Sequence, residues 1–124
     1  IEFAQRYDPQ PFHIDPVEAG HSIYAGLIAS GWHTGALTMR LLVENYVSTV
    51  ASLGSPGIET LRWPSPVRPG DTLNVTVEVL ETRISQSKPD RGIVRSKVRT
   101  FNQKGVEVMG LVSANFFLRR STVG

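Results

Sequence analysis

The sequence predicts an α+β domain, with a helical first half followed by antiparallel strands. Two observations carry this. Residues 25–51 form a run of helical length that is apolar nearly all round at first and amphipathic after Leu37. From residue 58 onward, apolar and polar residues alternate with the two-residue period of strands, and turn residues separate the runs.

The elements follow in order. Ile1, Phe3, Ala4 and Tyr7 recur at helical spacing, so residues 1–7 read as the end of a helix that opens as if residues were missing upstream. Pro9 and Pro11 lack an N–H and push the residues before them out of the α region, so the chain leaves the helix at Asp8. Asp15-Pro16-Val17-Glu18 reads as a cap, a proline in the first turn and an acidic start, with Gly20 ending the short helix. The long helix, 25–51, carries Gly26, Ala29, Ser30, Gly31, Gly35 and Ala36. A glycine costs roughly 1 kcal/mol in a helix interior, so these small residues imply close approach of another backbone or of a ligand.

Ser55-Pro56-Gly57 is a turn. Residues 58–63 alternate as a strand, and Pro64, Pro66 and Pro69 mark an edge or crossing segment. After the Arg68-Pro69-Gly70-Asp71 turn, residues 72–83 place Leu73, Val75, Val77 and Val79 on one face. A polar loop covers 85–92. A strand at 93–102 sets Arg95, Lys97 and Arg99 on one face, and a long strand runs over 106–118. Such a sheet has one apolar face, and the small-residue helix is the only element long enough to cover it.

Composition bounds the function. With 124 residues, 40% of them hydrophobic, the chain reads as one domain with a single core. Charged residues make up 19%, a low share that fits a surface partly covered by a partner chain. The net charge is +2, with no dense Lys/Arg cluster and no aromatic–basic ladder, which gives no case for nucleic acid but suits an anionic small molecule. No cysteine is present, so disulfides, thiolate catalysis and Cys–metal sites are excluded. The uncharged run 23–39 spans 17 residues, short of a membrane crossing and interrupted by glycines and His33, so no membrane helix is expected. No signal-peptide pattern is visible, and a cytoplasmic location is expected. His13, His21 and His33 lack the spacing of a zinc site, so no metal is expected.

The chemistry concentrates in Tyr7-Asp8-Pro9-Gln10-Pro11-Phe12-His13-Ile14-Asp15-Pro16. Asp8 and His13 are an acid–base pair five residues apart on backbone stiffened by proline. Each alone has a plainer reading: an aspartate before proline caps turns, and a lone histidine packs in a core. Together, ahead of a glycine-rich helix start, they suit a site that adds or removes water by general acid–base catalysis. Asp15 reads as a cap only, His21 as a loop residue, and His33 as a core or subunit contact. Trp32 and Trp63 read as core or interface packing.

The pattern Asp-x-x-Pro-x-His, then Asp15-Pro16, Ala19 and Gly26-Leu27-Ile28-Ala29-Ser30-Gly31-Trp32, resembles the MaoC-like, or R-specific enoyl-CoA hydratase, family over nearly the whole chain. The resemblance implies a single hotdog domain, a curved antiparallel sheet wrapped around one long central helix. It implies that Asp8 and His13 are the catalytic pair. It gives the Gly26 N–H the part of oxyanion donor and Thr34 that of a small hydroxyl near the histidine. The one departure is Gln10, where the family usually carries Asn. The activity implied is reversible R-specific hydration of 2-enoyl-CoA thioesters, with coenzyme A part of the substrate and no separate cofactor. Leu27 and Ile28 would then line the acyl pocket. Lys88 and Arg91, flanking the polar loop, are the candidates for the coenzyme's phosphates. A homodimer, or a higher oligomer built from dimers, is expected. Two other readings stay open: an acyl-CoA thioesterase on the same fold, and a non-catalytic subunit that binds acyl thioesters.

Overall fold

Proline spacing divides the start of the chain into three short helices, α1 (Glu2–Tyr7), α2 (Pro11–Ile14) and α3 (Pro16–Gly20). The structure, a computed structural model, describes residues 1–45, 55, 57–84 and 91–118. Pro11 and Pro16 each sit in a first turn, where a missing N–H leaves no bond unmade. The Asp15 side chain caps α3 by accepting from the Val17 and Glu18 N–H groups, as its sequence context predicts. The turn of helix at α2 was not anticipated. The chain leaves α1 at Asp8 and re-enters helix as soon as Pro11 supplies the right φ.

The long helix starts later than the sequence suggests. It is α4 (Gly31–Asn45), and the expected residues 46–51 lie outside the described ones. Ala25 and Gly26 take positive φ, 52° and 155°, which breaks any helix there. The Ile28 N–H then donates to the Phe12 carbonyl and the Ala29 N–H to the Val67 carbonyl. Both amides are directed sideways, into neighbouring segments, instead of along a helix axis.

The strands are β1 (Gly57–Arg62), β2 (Asn74–Ile84), β3 (Arg91–Phe101) and β4 (Glu107–Leu118). They form one antiparallel sheet in the order β1-β4-β3-β2. Asn102 organises the β3–β4 hairpin: its side chain accepts from the Lys104 and Val106 N–H groups, and Gly105 supplies the positive φ of 75°. One face of the hairpin buries Val98, Thr100, Val108 and Met109. Thr34 and Thr38 of α4 are buried as well, and the Thr38 and Thr100 hydroxyls meet at 2.8 Å. The other face carries the charges that alternation predicts: Arg95 grips Glu59 through two nitrogens, and Arg99 faces Glu107. No helix among the described residues is long and apolar enough to cross a membrane.

Candidate active site

Asp8 is the residue on which α1 ends, and His13 lies on the single turn of α2. The short path between them is braced by backbone bonds from Gln10 N–H to the Asp8 carbonyl and from His13 N–H to the Gln10 carbonyl. The His13 ring is buried and stands edge-on to Phe12, 4.5 Å between centroids. Its Nδ1 lies 2.9 Å from the Ile28 carbonyl. A carbonyl only accepts, so Nδ1 carries a proton and, in the neutral ring, Nε2 carries the free lone pair. Nε2 faces Asp8 Oδ2 at 3.4 Å. That exceeds an ordinary hydrogen bond, and one water could touch both groups.

The Asp8 carboxylate has two further partners. The Ser30 hydroxyl donates to Oδ2 at 2.7 Å and the Gln10 amide donates to Oδ1 at 2.7 Å. Chiefly the Ser30 bond, then the Gln10 bond, hold this carboxyl below the usual aspartate range. Ser30 also accepts from the Trp32 N–H and so caps α4.

Asp8, Gln10 and His13 line a cleft of about 530 Å³. Ile28, Gly31, Thr34 and Val108 form part of its wall, and the proline-rich stretch Pro64 to Val67 forms another part. That stretch is tied down by Arg68, whose guanidinium donates to the Tyr24 carbonyl and whose N–H is held by Asp71. Trp32 and Trp63 also line the cleft, 5.3 Å apart and edge to face. Both are exposed in the single chain, so they shape this cleft as well as offering a packing surface.

Three expected site residues, Gly26, Leu27 and Arg91, fall outside the cleft. The Gly26 N–H already donates to the Ala19 carbonyl at 2.9 Å, and Gly26 does not line the cleft. The residue in the position foreseen for it is Gly31, the true first residue of α4. Among the described residues the Gly31 N–H has no acceptor. Leu27 is half-buried outside the cleft, while Ile28 and Ala29 line it. Thr34 is where it was expected, deep in the wall, with its hydroxyl turned toward the Ser30 carbonyl at 3.5 Å. Arg91 opens β3 opposite Leu118 and does not line the cleft. Lys88 lies outside the described residues. His21 is exposed at the end of α3. His33 stacks on Phe3, where burial pushes its imidazole down.

Ser30 and Gly31 are the residues that sequence reasoning missed. The signal was present: a serine just before a helix is a preferred cap. Expecting the helix to start at residue 25 concealed it.

The MaoC-like domain family matches residues 1–102, and the chain belongs to that family. It is similar to a MaoC-like dehydratase of known structure from Rhodospirillum rubrum, at 45% identity and a TM-score of 0.89, covering 97% of this chain and 82% of that one. It is also similar to the R-hydratase PhaJ1 from Pseudomonas aeruginosa, at 30% identity and a TM-score of 0.71, covering 97% and 72%. An uncharacterized Bacillus subtilis protein, YdeM, is 32% identical over 108 residues, 87% of this chain and 75% of that protein. The four-stranded antiparallel sheet with its helix is the hotdog fold of these relatives.

Proposed function

We propose that the protein hydrates 2-enoyl-CoA thioesters to R-3-hydroxyacyl-CoA and catalyses the reverse dehydration. The observation that carries this is the Asp8–His13 pair, opposed at 3.4 Å in a cleft that also holds the start of α4. The R configuration is drawn from the similarity to an R-hydratase.

A water between the pair would donate one hydrogen bond to the Asp8 carboxylate. His13 Nε2 takes the water's other proton as its oxygen adds to Cβ. The alkene electron pair moves toward the thioester oxygen, where the Gly31 N–H, at the positive end of α4, stabilises the charge. The imidazolium then gives its proton to Cα. Water is added across the double bond, and His13 ends as it began.

Coenzyme A is the proposed carrier, with Arg91 and Lys88 proposed, on charge alone, to meet its phosphates. A second copy of the chain is the proposed partner. Trp32, Met39 and Val43 stand exposed along α4, an apolar surface that a monomer would leave wet.

The test is the loss of enoyl-thioester absorbance when protein is added to crotonyl-CoA. Wild type should remove the band, and Asp8→Asn and His13→Ala should each slow it by about 10²–10⁴-fold. Wild-type rates in both variants would sink the proposal. Release of free thiol instead of loss of the double bond would mark a thioesterase.

A further inference from the structure

Ser30 joins the carboxylate of the site to the helix that shapes it. It is 1% exposed. Its hydroxyl donates to Asp8 Oδ2 at 2.7 Å, and its oxygen accepts from the Trp32 N–H at 3.3 Å. The oxygen it touches on Asp8 is the one that faces His13 Nε2. The other, Oδ1, takes the Gln10 amide.

The Ser30 and Gln10 contacts each present a hydrogen to the carboxylate. A proton on Asp8 would weaken both bonds, and the acceptor open to it is the His13 Nε2 lone pair, to which it would pass. The charged groups around Asp8 do not offset this. His13 on α2, when it holds a second proton, favours the carboxylate further. Arg6, on its own helix, turns to Glu2. The facing end of α4 presents the neutral Gly31 and Trp32, and across the cleft stand Trp63, Pro64 and Ser65.

The geometry points to Ser30 as a positioning residue that keeps Asp8 a hydrogen-bond acceptor throughout turnover, so that His13 carries the mobile proton alone. The turnover half of this rests on the hydratase reading; the Ser30–Asp8 half does not. Asp8 then orients water and never acts as the acid. The same hydroxyl sets the register between the carboxylate and the start of α4. A change at Ser30 should therefore move the acid–base pair relative to the Gly31 N–H.

The experiment is a carboxyl-carbon NMR titration of the Asp8 side chain, assigned with Asp8→Asn, in wild type, Ser30→Ala, Ser30→Gly and Ser30→Thr. Glycine caps helices nearly as well as serine, so Ser30→Gly separates the loss of the hydroxyl from the loss of the cap. The expected result is a midpoint below the ordinary aspartate range in wild type and Ser30→Thr, and higher in both Ser30→Ala and Ser30→Gly. In crotonyl-CoA hydration, kcat should fall by about 10- to 100-fold in Ser30→Ala and Ser30→Gly, with KM little changed and activity recovered in Ser30→Thr. An Asp8 midpoint that does not move in either hydroxyl-free variant overturns the inference. A moved midpoint in a wild-type protein that never hydrates the thioester overturns the proposed function and leaves the Ser30–Asp8 assignment standing.

Discussion

The Nδ1–H of His13 donates to the Ile28 carbonyl at 2.9 Å, and through that bond the segment before α4 decides which nitrogen of the ring faces the cleft. Ile28 is itself held, because its N–H donates to the Phe12 carbonyl. Ring and carbonyl thus belong to one small lattice of backbone bonds. The proposed general base, His13, is oriented by main chain, which no side-chain substitution can remove.

The bonds on the other member of the pair, Asp8, bear on acid stability. Hydrogen bonds from Ser30 and Gln10 lower the Asp8 carboxyl below its unfolded value of 3.8. Its contribution to stability is therefore fully present above that value and is lost as pH falls through the lower folded one. Urea unfolding of wild type and Asp8→Asn should differ most near neutral pH and converge toward pH ~2. Gln10→Ala should shrink the neutral-pH gap by raising the folded carboxyl. A gap that stays constant with pH would contradict the assignment.

Gly31 should tolerate no side chain. A Cβ there would lie 2.6 Å from the Trp63 ring. Gly31→Ala is expected to lower stability by about 1–3 kcal/mol, the usual cost of overpacking. Trp63→Ala in the same chain should relieve much of that loss. Thermal unfolding of the double-mutant cycle measures the coupling, and strictly additive effects would mean the ring moves aside freely.

The Thr38–Thr100 pair should show the asymmetry of buried hydroxyls. Both are buried, and they meet at 2.8 Å between α4 and β3. Thr38→Val leaves Thr100 to find another partner and should cost about 1–3 kcal/mol, whereas replacing both by valine should cost much less. Denaturant midpoints of the three variants decide this. A double variant as unstable as the sum of the singles would count against it.

Asp15 should matter to folding and not to chemistry. Its side chain takes the first free N–H groups of α3. Asp15→Ala is expected to lower stability by about 1 kcal/mol with kcat for crotonyl-CoA unchanged, as read from melting temperature and initial rates. A large fall in kcat would place Asp15 in the site.

Local rules made much of this legible in the sequence. Alternation located the strands because Ser96, Val98 and Thr100 point inward while Arg95, Lys97 and Arg99 point out. The caps and prolines of residues 8–16 gave the Asp8–His13 placement, since little chain separates them. What could not be read was set by distant partners. Periodicity alone extends α4 back to residue 25, because the bonds that stop it come from Phe12 and Val67. The same extension put Gly26, expected as the oxyanion donor, at the helix start, whereas the fold gives its N–H to Ala19. Ser30 looked like one small residue among several, and its partner Asp8 lies 22 positions away.

The bend between α3 and α4 is closed at its base by the Gly26–Ala19 bond, and the strand-like piece beyond it is clamped to Phe12 on one side and Val67 on the other. At its tip Ile23 is 93% exposed. Tyr24, the next residue along, lines the cleft and its carbonyl takes the Arg68 guanidinium, so the bend stands clear of the cleft only before Tyr24. Residues added at its tip lengthen a loop whose anchors do not shift, and closing a longer loop is only weakly penalised. The stretch up to Ile23 is where this chain can accept an insertion or a tag, and Tyr24 marks where that tolerance ends.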